Sequence, residues 1–147
     1  MIDEDGTTLE EQLCFALYDA SRAVMGQYRA GLGDLGLTYT QYVVLLVLWT
    51  DDDITVSALG ERLKLDSGTL SPLLKRLEAQ GLVTRRRSDA DERVVHVSLT
   101  DEGRAMQGKV NPVRCAVEDS LGISKEQIAD LRARLQELSA HLRPADA

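Results

Sequence analysis

Two thiols, Cys14 and Cys115, are the nucleophiles that stand out in the chain. Cys14 lies in "LCFALYDASR", between Leu13 and Phe15, with Tyr18 four residues on. Residues four apart share one face of a helix, so the Tyr18 phenol can stand beside the thiol. Peroxide reduction needs a thiolate, which attacks the O–O bond and becomes a sulfenic acid. No Lys, Arg or His flanks Cys14. Tyrosine hydroxyls and the positive end of a helix are the groups left to favour its charged form. Apolar Leu13, Phe15 and Leu17 would favour a lipophilic organic peroxide over hydrogen peroxide. The competing reading is a small apolar core filler, a common use of cysteine. His96 and His141 lack metal-ligand spacing around the cysteines, so no metal is expected. No phosphate loop or motif-supported pair of catalytic acids appears, so neither a cofactor nor enzyme activity is expected.

The elements that must position these residues read as mainly α with a small β wing. "TTLEEQLCFALYDASRAVMGQYRAGL" carries Leu9, Leu13, Leu17, Ala20 and Val24 at helical steps, with Thr7 and Glu10 at capping-box spacing. Gly31, Gly33 and Gly36 end that helix in a turn. Thr38 and Gln41 repeat the capping-box spacing before "YVVLLVLW", a buried helix with a strand as the runner-up because of its β-branched residues. Ala58, Leu59, Leu63 and Leu65 outline a short helix. Asp66 and Ser67 then turn and cap a second one, carrying Leu70, Leu73, Leu74 and Leu77, with Pro72 inside and Gly81 after its end. This pair is a helix-turn-helix. "LVTRRR" and "RVVHVSLT" alternate as strands around "SDADE", a hairpin in which His96 is an ordinary strand residue. A weaker helix, interrupted near Pro112, follows Thr100 and Gly103. Ser124 and Gln127 cap the last helix, whose stripe of Ile128, Leu131, Leu135, Leu138 and Leu142 needs a partner helix in the chain or in a second copy.

The chain has 147 residues, 44% hydrophobic, 28% charged and 4% aromatic, which suits one domain with an aliphatic core. The run Tyr42–Trp49 is too short to cross a bilayer, and "MIDEDGTTLE" is too acidic for a signal peptide, so a cytoplasmic protein without a membrane partner is expected. A reducing compartment argues against a permanent structural disulfide. The net charge is −7, yet residues 62–93 hold eight basic and five acidic side chains, a local +3. This basic middle coincides with the helix-turn-helix and hairpin. Ser67, Thr69, Ser71, Lys75 and Arg76 can face a major groove and meet base edges or phosphates. Period-two alternation turns Arg85 and Arg87 to one side of the hairpin and Arg86 to the other. Arg93 can reach a minor groove, with Asp89 or Asp91 holding the turn. Double-stranded DNA is the partner this pattern predicts.

The stretch "LTYTQYVVLLVLW … ITVSALGERLKLDSGTLSPLLKRLEAQGLVTRRRSDADERVVHVSLTDEG" resembles the MarR family of winged-helix transcriptional regulators. The resemblance implies one domain over 1–147, with a DNA-binding winged helix over about 38–103. The helices over about 7–32 and 104–143 would join two copies into a homodimer that straddles a pseudo-palindromic operator. "LCFALYDASR", "DSGTLSPLLKRLE" and "DERVV" are similar to the organic hydroperoxide-sensing, OhrR-type branch. That likeness puts the reactive cysteine on Cys14 and its two thiol-contacting tyrosines on Tyr28 and Tyr39. Cys115 falls, by region and not by motif, where a two-cysteine subgroup carries the residue that resolves the sulfenic acid into a disulfide between subunits, releasing the operator; with a buried, inert Cys115 the oxidation would stop at sulfenic acid or a mixed disulfide with a small thiol. A repressor released by a small phenolic ligand, with inert cysteines, is the nearest rival. A thiol peroxidase is a distant one.

Overall fold

The computed structural model describes residues 8–143, so the expected Thr7 cap lies outside the described residues. Two compact units divide between Arg114 and Cys115. No helix among the described residues is long and apolar enough to cross a membrane.

A single 3-10 turn, Leu9–Glu11, comes first, followed by α1, Leu13–Gly33. The expected helix over the whole "TTLEEQLCF…" run is therefore broken. Gln12 takes an extended conformation, φ −81° and ψ 122°, and α1 restarts after it. The periodicity of Leu9 and Leu13 survives such a break, so it conceals it. As a result Cys14 is the second residue of α1 and not a mid-helix residue.

The second helix, α2, spans Tyr39–Thr50. The helical reading of "YVVLLVLW" holds over the strand alternative, and its start shows why. Thr38 Oγ1 accepts from the Gln41 amide at 3.3 Å, and Gln41 Oε1 accepts from the Thr38 amide at 3.0 Å. The buried Gln41 then donates to Gln80 Oε1 at 2.9 Å, so its polar atoms are satisfied inside the core.

A two-residue strand, β1 (Ile54–Thr55), leads into α3 (Val56–Leu63) and then α4 (Ser67–Ala79). Asp66 caps α4 by accepting the Thr69 amide at 2.7 Å, and that bond holds its carboxyl below the usual range. Gly81, at φ +76°, ends the helix as expected, with the Leu82 amide returning to Leu77 O at 3.0 Å. The wing is β2 (Val83–Arg87) and β3 (Val95–Leu99), antiparallel, with Arg85 opposite Val97. β1 pairs on the other side of β3, giving a three-stranded sheet in the order β1-β3-β2. The sequence reading did not anticipate β1.

Leu45, Leu48, Leu59, Leu70, Leu74, Leu77, Val83 and Val97 interlock in one core that joins α2, α3, α4 and the sheet. Their burial fixes the angle between α4 and the wing. The next helix, α5, runs Asp101–Ser120 without interruption, so the expected break at Pro112 does not occur. Proline there forfeits one backbone bond, a loss that the helical turns on either side absorb. In the second unit, α6 spans Lys125–Leu142 behind the expected Ser124–Gln127 capping box. Leu131, Leu135 and Leu142 of its apolar stripe are exposed.

Candidate functional site

Cys14 is exposed in the first turn of α1. Leu13 beside it is also exposed, and Tyr18 presents its ring to solvent one turn on. Phe15 stands 6.5 Å from Tyr18, and Arg22 covers the Tyr18 ring at 5.3 Å. Leu13 and Tyr18 thus leave apolar surface and a phenol exposed on the same stretch of helix as the thiol. Only Leu32 of the twenty-one residues of α1 is buried, so this surface does not belong to the core.

Tyr28 and Tyr39 stand elsewhere. Tyr28 lies fourteen residues beyond Cys14 on the same helix, about 21 Å along the axis at ~1.5 Å per residue. Its ring packs 5.2 Å from Tyr39. The three expected thiol-pocket tyrosines therefore split into two groups within one chain: Tyr18 near Cys14, and Tyr28 with Tyr39 about four turns away. Tyr42, which the sequence reading passed over, completes the second group with rings 5.5 Å from Tyr28 and 5.9 Å from Tyr39. Its spacing of three from Tyr39 on a helix was the available signal. Cys115 is exposed on α5, three residues after Pro112.

The candidate DNA face is built on α4 and the wing. Burial of Leu70, Leu73, Leu74 and Leu77 turns Thr69, Lys75 and Arg76 outward. Ser67 and Ser71 line a groove of about 720 Å³ between α3, α4 and the wing, together with Lys64, Arg85, Arg87 and Arg93. Arg86 turns away, 3.8 Å from Asp53, as the alternation predicts. Arg93 leaves 90% of its side chain exposed at the wing tip. Asp91, not Asp89, holds that turn: its carboxylate accepts from the Arg93 amide at 3.0 Å and from the guanidinium at 3.2 Å. The same contacts hold the Asp91 carboxyl below its usual range. Asp53, at φ 55°, sits 3.5 Å from His96 Nδ1 at the foot of the wing.

Arg85 joins the wing to α4. Its guanidinium donates to Glu78 Oε1 at 3.2 Å, and its amide donates to Glu78 Oε2 at 3.2 Å. Glu78 of α4 thereby closes the free edge of β2 and clamps the wing to the reading helix. Sequence reasoning missed it because seven residues of separation carry no local pattern. The Arg85 hydrogen bond, foremost, lowers the Glu78 carboxyl from its ordinary 4.5. A carboxyl lowered on folding stabilises fully above its ordinary value and loses that contribution as pH falls through the lowered one. Urea midpoints should therefore separate wild type from Glu78→Gln at neutral pH and converge only as pH falls through the lowered Glu78 value. The same substitution should weaken operator binding several-fold at neutral pH, measured by fluorescence anisotropy.

Residues 28–110 match the family described as Transcriptional regulator SarA/Rot. The organic hydroperoxide resistance transcriptional regulator of Bacillus subtilis is 48% identical over 128 residues, 87% of this chain and 85% of that protein. A structure of reduced AbfR bound to DNA superposes with a TM-score of 0.76 at 36% identity, covering 92% of this chain and 94% of that one. AbfR, from Staphylococcus epidermidis, has also been solved with a disulfide formed, at 37% identity and TM-score 0.65 over 91% of this chain and 89% of that one.

Proposed function

The chain belongs to the MarR/SarA-type winged-helix transcriptional regulators, on their organic hydroperoxide resistance branch, and we propose on that footing that it is a dimeric repressor, holding operator DNA when reduced and releasing it when an organic hydroperoxide oxidises Cys14. The observation that carries this reading is the exposed thiol in the first turn of α1, beside exposed Leu13 and Tyr18. The thiolate attacks one peroxide oxygen. A sulfur–oxygen bond forms, the O–O bond breaks, sulfur gives up two electrons, and the alkoxide leaves as an alcohol after taking a proton. Cys115 of the other subunit then attacks the sulfenic sulfur, forming a disulfide and expelling water. AbfR, known in reduced and disulfide-formed structures, supports such a cycle.

Two copies are needed for the thiol pocket. Tyr28 and Tyr39 lie too far along the chain to reach Cys14 of the same protomer. Two antiparallel α1 helices would bring the Tyr28–Tyr39 pair of one copy to Cys14 of the other. The exposed leucines of α6 supply further apolar surface for that pairing. The flanking helices over about 7–32 and 104–143 are thus dimerisation elements of a single MarR-type domain, and 38–103 the DNA reader. Ser67, Thr69, Ser71, Lys75 and Arg76 enter the major groove, and Arg93 meets the minor groove. Arg85 serves mainly by anchoring the wing. The protein acts in the cytoplasm, as a regulator and not an enzyme.

Operator binding by the full chain before and after one equivalent of cumene hydroperoxide tests the whole reading. Binding should be lost on oxidation, and non-reducing mass analysis should find a dimer linked through Cys14 and Cys115. Unchanged binding after Cys14 is fully oxidised would defeat it.

A further inference from the structure

Gln41 and Gln80 form a bridge that the cycle above leaves unused. Gln41 is the third residue of α2 and is buried, two places after Tyr39. Its side chain is held at both ends: Oε1 accepts from the Thr38 amide at 3.0 Å, and Nε2 donates to Gln80 Oε1 at 2.9 Å. Gln80 closes α4, with its own amide bonded to Arg76 O at 3.0 Å. Its side chain is also held at both ends, since Nε2 donates to Gly36 O at 2.7 Å in the turn between α1 and α2. Side-chain hydrogen bonds therefore tie that turn and the start of α2 to the end of the reading helix. Apolar contacts in the surrounding core are non-directional, whereas hydrogen bonds fix position and weaken steeply once bent.

We propose that Gln80 is a positioning residue that couples the thiol pocket to the DNA reader: through Gln41 and Gly36 it makes the end of α4 follow the start of α2. The inference rests on the reading of Cys14 as the sensor, with Tyr39 in its pocket. Tyr39 opens α2 and Gln41 lies in the same turn. A displacement of Tyr39 on oxidation of the sulfur thus carries the Thr38–Gln41 capping box with it, and the bridge passes the movement to Gln80. α4 is thirteen residues long, about 20 Å at ~1.5 Å per residue. A tilt of about 3° at its Gln80 end moves Ser67, at the other end, by roughly 1 Å. A hydrogen bond has a working range of only about 0.5 Å, so contacts to base edges do not survive that shift unchanged. In this role Gln80 meets neither peroxide nor base.

Gln80→Met keeps the length of the side chain and removes both of its bonds. Gln80 is exposed, so Gly36 O is left to water, and the melting temperature should stay within about 5 °C of wild type. Operator binding by the full chain is measured by fluorescence anisotropy at one fixed salt concentration, reduced and after cumene hydroperoxide, with Cys14 oxidation checked by mass. Wild type should lose roughly tenfold to a hundredfold in affinity on oxidation, and Gln80→Met less than about threefold. Reduced affinity and the rate of Cys14 oxidation should both stay within about threefold of wild type, as for a surface substitution outside either site. The Gln41→Met, Gln80→Met double variant should show the same residual ratio as Gln80→Met alone, because both cut one bridge. A merely structural Gln80 would weaken binding in both states and leave their ratio alone. A wild-type ratio in Gln80→Met, or a further change beyond about twofold in the double variant, would overturn the inference and leave the sensor reading intact. A wild-type protein that keeps its operator after Cys14 is oxidised would overturn the sensor reading, and this inference with it.

Discussion

Cys14→Ser should bind the operator as tightly as wild type and keep hold of it when cumene hydroperoxide is added. The substitution is nearly isosteric and falls on an exposed residue of α1, so the fold should lose no more than about 0.5 kcal/mol. The candidate DNA face, on α4 and the wing, is built from a core that does not include Cys14. What disappears is the nucleophile: an alcohol does not ionise at neutral pH and cannot open the O–O bond. Wild type should lose roughly tenfold to a hundredfold in operator affinity on oxidation, the usual size of coupling between two sites. The variant should lose none, in anisotropy titrations at one fixed salt concentration. Fixed salt matters because phosphate contacts make affinity steeply ionic-strength dependent. Oxidant-driven release that persists in Cys14→Ser would move the trigger off this thiol. Release by a phenolic compound in its place would put control in a ligand site with inert cysteines.

How much of this was legible in the sequence depends on whether the determinants are local. Thr38 with Gln41, Ser124 with Gln127, and Asp66 before Ser67 announce helix starts through bonds spanning three residues, and all three form. The wing reads from strict alternation, and its turn from the acids beside Arg93. "YVVLLVLW" left helix and strand open because both of its faces are apolar. Val43 and Leu46, which stay partly exposed, are as apolar as buried Val44, Leu45, Val47 and Leu48, so neither period stands out in the sequence. β1 was illegible because two residues become a strand only by pairing Ile54 with Val97, a contact far along the chain. The break at Gln12 has no glycine or proline to signal it, yet it decides that Cys14 opens a helix. In the site, residue types were readable and partnerships were not. Arg85 reads as a candidate DNA contact, but its bond to Glu78 carries no local pattern. Tyr28 and Tyr39 emerge by resemblance to relatives, whereas Tyr42 emerges only from the ring packing.

The largest effect on stability is expected at Gly103, in the first turn of α5. A Cβ there would run into the carbonyl oxygen of Leu82 and press on Leu99 Cδ2 at 3.1 Å. The obstacle is backbone, which cannot swing aside as a flexible side chain can. That carbonyl already accepts the Thr100 amide at 3.1 Å. Thr100 Oγ1 donates to Gly81 O at 2.6 Å and accepts the Gly103 amide at 3.0 Å. Gly103 O accepts the Trp49 indole N–H at 2.9 Å. Four elements, α2, α4, β2 and α5, are therefore stitched together where the wing begins. An alanine must displace α5 or Leu82 and stretch several of these bonds together. Gly103→Ala should cost about 3 kcal/mol, at the upper end for overpacking, and lower the melting temperature by roughly 10 °C. Gly108, deeper in the same helix, has nothing within 4 Å of its would-be Cβ. Gly108→Ala should therefore stabilise the chain by up to about 1 kcal/mol through helix propensity alone. Calorimetry of the two variants separates close approach from propensity on one helix. Equal shifts of the same sign would mean that α5 does not start against Leu82, and the wing would then lack the anchor that sets its angle to α4.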